Sequence, residues 1–291
     1  MVVVGFIGLG IMGESMSERI VNAGYEVWVY DLNSAQVDKL VAIGAQPAGS
    51  IMEVAEHADQ IIIMVPNSEH VQDVVHQLLP ALREGTIIID MSTISPEVSR
   101  ILAQEVAAAG NVMVDAPVVK SKAAAISGDL GILVGADDPA IVEEITPLLA
   151  NMGKNIIRMG SNGSGLVMKL CHNALVAEIQ NGVNEMLVLA GKAGIDFDSF
   201  VKAVSYGGGQ NLYLDSKAET IKARDFTPKF PFEHMAKDLN LASDLAKEFG
   251  LSLPGVEQCL KIYAAGLEDG LHREDHSASF KIVEKISSGE L

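Results

Sequence analysis

Gly165, Lys169 and Asn173 recur at four-residue intervals in the stretch Gly165-Leu-Val-Met-Lys169-Leu-Cys-His172-Asn173. A helix stacks residues so spaced on one face, about one turn apart. A lysine can take or give a proton and a carboxamide can hold a substrate oxygen. That face therefore reads as a general acid/base beside a positioning group. The alternative is a lysine snorkelling from a helix start with a chance polar neighbour. The surrounding segment, 166–190, is apolar and reads as one long helix. It has the length to span a bilayer. Lys169, His172, Asn173, Glu178, Gln180, Asn181, Asn184 and Glu185 would then lie in hydrocarbon at a cost of kilocalories each. The expectation is a buried helix of a soluble protein.

The elements upstream must position that helix. Residues 2–7 form a short continuous apolar run, as a central parallel strand does. Gly8-Leu9-Gly10-Ile11-Met12-Gly13 follows, then a helical pattern to about Ala23, a strand at 25–30 and Asp31. Strand, G-x-G-x-x-G, helix, strand and acid in one unit predict dinucleotide binding on a Rossmann domain. Gly8 makes the tight turn, Gly10 lets the backbone approach the pyrophosphate, and Gly13 packs helix on strand. The N–H groups at the helix start, around Ile11 and Met12, then face the phosphates. Asp31 can accept from both ribose hydroxyls and would repel a 2′-phosphate. Leu32, Asn33 and Ser34 supply no arginine after it, so NAD is expected over NADP.

Strand and helix keep alternating. Further strands are expected at 60–65, 86–90, 111–115, 130–134 and 155–159, with helices at 34–42, 68–82, 96–109 and 139–152. Ligands of such sheets bind beyond the carboxyl ends of the strands. Val65-Pro66-Asn67, Ser92-Thr93 and 115–122 fall there. Their alternative is ordinary turn chemistry. From Gly160 strand signals stop, and helices are expected at 166–193, 196–204, 212–223, 232–249, 254–268 and 277–284. The fold class is thus α/β, with a Rossmann domain at 1–162 and an all-α substrate and dimerisation domain at 163–291, joined by the long helix. Lys169 is expected to face the cofactor.

Composition excludes other classes. The 291 residues are 48% hydrophobic and 20% charged, a globular balance. A net charge of −17 argues against nucleic acid and anionic membranes as partners. It also requires that any small anionic substrate be held by local donors. Two cysteines, Cys171 and Cys259, make neither a disulfide framework nor a metal site. No metal is expected, and the cytoplasm is the expected compartment.

These pieces together resemble the β-hydroxyacid dehydrogenase family, across essentially the whole chain. The resemblance rests on 5–13, Met91-Ser92-Thr93, Asp115-Ala116-Pro117-Val118, Gly165-x-x-x-Lys169-x-x-x-Asn173 and Lys237-Asp238-Leu239. It implies an NAD-dependent oxidoreductase interconverting a small 3-hydroxy acid, or a sulfonate analogue, and its semialdehyde. By the same resemblance Lys169 is the catalytic acid/base, Asn173 holds the substrate and Ser92 lies near it. Thr93 and Lys237 would contact the cofactor, and the protein would be a homodimer or homotetramer. Imine reductases are similar but usually replace the lysine. A non-catalytic NAD-binding sensor on this fold would have no chemical need of Lys169, Asn173 and Ser92 together. The family's substrate loop commonly reads Asp-Ala-Pro-Val-Ser-Gly-Gly; here Val119, Lys120 and Ser121 replace the last three. Without the glycines this loop is expected to bring its N–H groups less close to a carboxylate; either the Lys120 ammonium is the replacement anchor, or it points to solvent and the acid is held elsewhere. His172 stands where many members carry asparagine.

Overall fold

The computed structural model describes residues 2–289. The chain divides into two compact units, Met1–Lys169 and Leu170–Leu291. The first unit runs through β1 (Val3–Ile7), α1 (Gly13–Asn22), β2 (Glu26–Tyr30), α2 (Ser34–Val41), β3 (Gln46–Pro47), α3 (Ile51–His57) and β4 (Gln60–Ile63). It continues through α4 (Ser68–Leu78), β5 (Ile87–Asp90), α5 (Pro96–Ala108), β6 (Val112–Asp115), β7 (Val118–Val119), α6 (Lys122–Ser127), β8 (Leu130–Gly135), α7 (Pro139–Leu149) and β9 (Gly153–Gly160). Helix α8 (Ser164–Lys192) then begins, and the division between units falls within it.

Among the described residues these strands make one sheet, ordered β3-β2-β1-β4-β5-β6-β8-β7, with β9 paired to β8. Pairing is parallel from β3 through β6, whereas β8 runs antiparallel to β6 and β7. Successive strand side chains point to opposite faces. Val4, Phe6, Ile62, Ile87, Ile89 and Val114 accordingly join one buried core, while Ile7, Ile61, Ile63, Ile88 and Met113 join another. A sheet buried on both faces needs the continuous apolar runs that the sequence shows.

The predicted α/β architecture is present. Four short elements were not expected: β3, β7, α3 and α6. Helix α3 starts at a reciprocal cap, with Ser50 Oγ accepting from Glu53 N–H at 3.1 Å and the Glu53 carboxylate accepting from Gly49 N–H at 2.7 Å.

In the second unit α8 is followed by α9 (Phe197–Val204), α10 (Leu212–Lys222), α11 (Phe232–Glu248), α12 (Pro254–Glu268) and α13 (Ser279–Ser288). A polar cluster sits inside it: the Gln180 amide donates to the His276 carbonyl at 2.7 Å, and Lys217 pairs with Asp275 at 2.7 Å. Buried polar groups are retained where they are satisfied. Burial pushes the His276 imidazole down to about 4, so it is neutral at pH 7. No described helix is long and apolar enough to cross a membrane.

Candidate functional site

The glycine loop comes first, because its three glycines have separate physical reasons. A Cβ on Gly8, where φ is +95°, would lie 2.3 Å from the Met64 carbonyl oxygen. One on Gly13 would lie 2.0 Å from the Gly8 carbonyl oxygen. Both positions are closed by the protein itself. Gly10 is different: a Cβ there meets nothing within 4 Å, and the residue is exposed. Folding does not require this glycine, so the open space beside it is the cradle that a pyrophosphate would fill. Ile11, 43% exposed, and the half-buried Met12 follow it into α1. Asp31, at the end of β2, is oriented by the same loop. Its carboxylate accepts from Leu9 N–H at 2.6 Å and from Asn33 N–H at 2.7 Å. Those bonds fix both oxygens, and each keeps capacity for a further donor such as a ribose hydroxyl.

Beyond the neighbouring strands lie the other expected positions. Val65 and Asn67 are half-buried and Pro66 is exposed. Asn67 caps α4, its side-chain oxygen accepting from His70 N–H at 3.0 Å. Ser92 is only 1% exposed; its hydroxyl accepts from Val65 N–H at 3.0 Å, while its own N–H donates to Asp90 at 3.0 Å. Ser92 thus ties the ends of β4 and β5 together, beside a half-buried Thr93.

In the 119–121 loop the structure departs from expectation. Lys120 has a left-handed backbone, φ +82°, a region that L-residues avoid. Where the family pattern carries glycine, this lysine keeps a glycine-like turn, so losing the glycines has not straightened the loop. The Lys120 ammonium pairs with Asp129 at 2.6 Å, on the surface. Opposite charge and an accessible carboxylate nine residues away explain that placement. Val119 is half-buried and Ser121 exposed.

Helix α8 carries the remaining chemistry. Lys169 is 8% exposed, flanked by fully buried Leu166 and Leu170. Asn173, in the second unit, is 5% exposed, and its amide donates to Asp238 Oδ2 at 2.6 Å. A carboxylate only accepts, so the NH2 end of Asn173 must face Asp238. Its oxygen then faces His172, whose Nδ1 lies 3.1 Å away and carries the hydrogen of that bond. Lys237 Nζ lies 3.2 Å from the other Asp238 oxygen. His172, Asn173, Asp238 and Lys237 are thus one connected group within the second unit.

The residues matched by known family models cover both parts. Residues 3–160 match the NAD binding domain of 6-phosphogluconate dehydrogenase, and 163–283 match a model described as NAD-binding of NADP-dependent 3-hydroxyisobutyrate dehydrogenase. The chain is 35% identical to a 2-(hydroxymethyl)glutarate dehydrogenase of Eubacterium barkeri, over 98% of this chain and 95% of that one. It belongs to the β-hydroxyacid dehydrogenase family. A 2-hydroxy-3-oxopropionate reductase of Escherichia coli is a 34% identical relative, over 99% of each chain. The solved Mycobacterium tuberculosis 3-hydroxyisobutyrate dehydrogenase with L-serine superposes with a TM-score of 0.91 at 30% identity, covering 97% of this chain and 98% of that one. As a β-hydroxyacid dehydrogenase relative the protein is an oxidoreductase with a nicotinamide dinucleotide cofactor.

Two acids quoted in the sequence motifs had been given no role of their own. Asp115, at the end of β6, is fully buried and accepts from Gly163 N–H at 2.6 Å and Leu166 N–H at 2.8 Å, at the start of α8. Burial pushes its carboxyl up to about 6, against the lowering effect of those donors. Asp238 entered only as part of the Lys237-Asp238-Leu239 motif, yet it is 2% exposed. The periodicity of α11 carried a signal, since Met235, Leu239, Ala242 and Leu245 define a buried face that includes position 238.

Proposed function

We propose that this protein interconverts a small 3-hydroxy acid, or a sulfonate analogue, and its semialdehyde, using NAD in preference to NADP. One observation carries the reading: a buried lysine, Lys169, one helical turn ahead of a carboxamide, Asn173, that a buried carboxylate holds in a single orientation. Bound along the glycine loop, the nicotinamide cofactor supplies the hydride acceptor or donor. Lys169 takes the hydroxyl proton as alcohol becomes aldehyde and returns a proton to the carbonyl oxygen in the reverse direction. Asn173, oriented by Asp238, holds the substrate oxygen, with His172 beside it on α8.

The NAD preference rests on Asp31. Its carboxylate is fixed by two backbone donors, and a 2′-phosphate brought to it would meet like charge with no arginine among Leu32, Asn33 and Ser34. With a net charge of −17, the acidic headgroup must be held locally. The loop at 119–121, with its left-handed turn at Lys120, supplies backbone N–H groups for that purpose.

The test is turnover of 3-hydroxyisobutyrate, glycerate, 4-hydroxybutyrate, L-serine and 2,3-dihydroxypropanesulfonate with NAD and with NADP, by the wild type and by Lys169→Ala. At least one acid should be oxidised, with kcat/KM at least about tenfold higher for NAD, and Lys169→Ala should lower kcat by about 10²–10⁴ while the cofactor dissociation constant stays within about twofold. Normal turnover by Lys169→Ala would make the lysine a structural residue and remove the proposed mechanism.

A further inference from the structure

Asp115 lies at the carboxyl end of β6 and reaches across to the beginning of α8, 48 residues on at Gly163 and 51 on at Leu166. A helix start leaves N–H groups without intrahelical partners, and one carboxylate here accepts from two of them. The packing around it is close. A Cβ on Gly135 would lie 2.2 Å from Oδ1, and one on Gly165 would lie 2.8 Å from Oδ2. Gly135 is therefore closed by Asp115, and Gly165 by the Leu133 carbonyl oxygen at 2.2 Å together with Asp115, so the carboxylate is closely packed on both sides. From Leu166 to Lys169 the chain is continuous α-helix, so the rotation and height of the first turn pass directly to the lysine three residues later.

We propose that Asp115 is a positioning residue for the reaction, clamping the first turn of α8 so that Lys169 projects at a fixed height and angle. The proposal rests on the reading of Lys169 as the acid/base. Its distinctive feature is that stability alone does not call for a charge at this place. Desolvation works against the ionised form, and its carboxyl is pushed up to about 6 although backbone donors surround it. A neutral cap such as serine or threonine would satisfy a helix start without that penalty. What the carboxylate adds is two short bonds from rigidly related oxygens, at 2.6 and 2.8 Å, one to the residue before the helix and one to its third residue. Two such anchors fix the rotation of the turn as well as its position.

A double-mutant cycle tests this on the full-length protein with NAD and the acid that the wild type turns over best in the panel above. Asp115→Asn keeps the size but sets an NH2 against one of the two N–H donors, which breaks one anchor. In the wild-type background kcat should fall by about 10²-fold, as expected for displacement of a catalytic group by about 1 Å, with the cofactor dissociation constant unchanged within about twofold. In the Lys169→Ala background the same substitution should change kcat by less than about twofold, because there is no longer a lysine to position. An equal loss in both backgrounds would show general disruption and overturn the proposal. So would an unchanged kcat in Asp115→Asn. Full activity of Lys169→Ala alone would instead overturn the reading of the lysine, and inertness of the wild type toward the whole panel would overturn the function. Should Asp115→Asn fail to fold, Gly135→Ala displaces the carboxylate without deleting it, and the same cycle applies. Failure of both variants to fold would overturn positioning and leave Asp115 as a folding residue.

Discussion

The charge on Asp115 should be visible in the pH dependence of stability, and the sign is opposite to that of an ordinary capping aspartate. Its carboxyl stands at about 6 in the folded protein against 3.8 for the unperturbed group, because desolvation outweighs the Gly163 and Leu166 donors. The folded state therefore binds the proton more tightly than the unfolded chain. Stability from this group is present below about pH 4 and is lost as pH rises through about 6. The full span, a little over two units at 1.36 kcal/mol each, is about 3 kcal/mol, of which about 2 kcal/mol falls between pH 7 and pH 4.5. Other groups titrate in that range as well, His276 among them at about 4, so the quantity to measure is a difference. Urea unfolding of the wild type and of Asp115→Asn at a series of pH values removes the shared terms. Trp28, the single tryptophan, lies on β2 in the same unit as Asp115. Its fluorescence follows the relevant transition even if the two units unfold separately. The wild type should gain about 2 kcal/mol on the variant as pH falls from 7 to 4.5. A flat difference would refute the desolvation argument. A wild type that instead loses ground on acidification would show that the backbone donors stabilise the charge outright, as in a conventional cap.

Gly10→Ala should fold as the wild type does, with Tm changed by less than about 2 °C, yet bind the cofactor at least about tenfold more weakly. Its Cβ meets no protein atom within 4 Å, so any effect must come from the ligand; unchanged binding in a titration of NADH fluorescence would move the pyrophosphate elsewhere. Lys120→Gly should leave stability within about 1 kcal/mol of the wild type, since release of the left-handed strain offsets the added freedom of glycine and an exposed ion pair with Asp129. KM for acidic substrates should also be nearly unchanged in both Lys120→Gly and Lys120→Ala; a rise of about tenfold or more in both would show that the ammonium leaves Asp129 to anchor the headgroup.

What was legible in the sequence was local. The glycine loop, Asp31 and the 165–173 helix each announce themselves within a few residues, because a turn, a strand end or a helix face is specified by its own neighbours. The strand order was not read, and it includes β3 and β7, two-residue strands too short to show a pattern. The Ser50–Glu53 cap was also local and could have been read. Short α6 could not: six residues, Lys122–Ser127, give less than two turns of pattern. The Lys120 loop shows a different limit. A lysine in place of a glycine reads as a changed loop, whereas the structure keeps the turn and accepts the strain. Composition alone does not reveal that a backbone conformation outlasts the residue that favours it.

The two acids bonded to α8 and the residue before it mark where sequence reasoning stops. Burial of Asp238 follows from the period of α11, and the end of an apolar strand is a place where an acid stands out. Neither fact names a partner. Asp115 meets amides 48 and 51 residues away and Asp238 meets Asn173 across 65 residues, distances fixed only once the sheet and helices have packed. Packing also decides what each carboxylate does. At the start of α8 two backbone donors bond Asp115 and two glycines pack closely against it. On α11 one amide and one lysine leave Asp238 to orient Asn173. Each is a buried charge whose removal would strand its donors. Asp115 holds backbone at the start of α8 and Asp238 holds a side chain further along it, so each charge is used for orientation within its own unit rather than to extend a core.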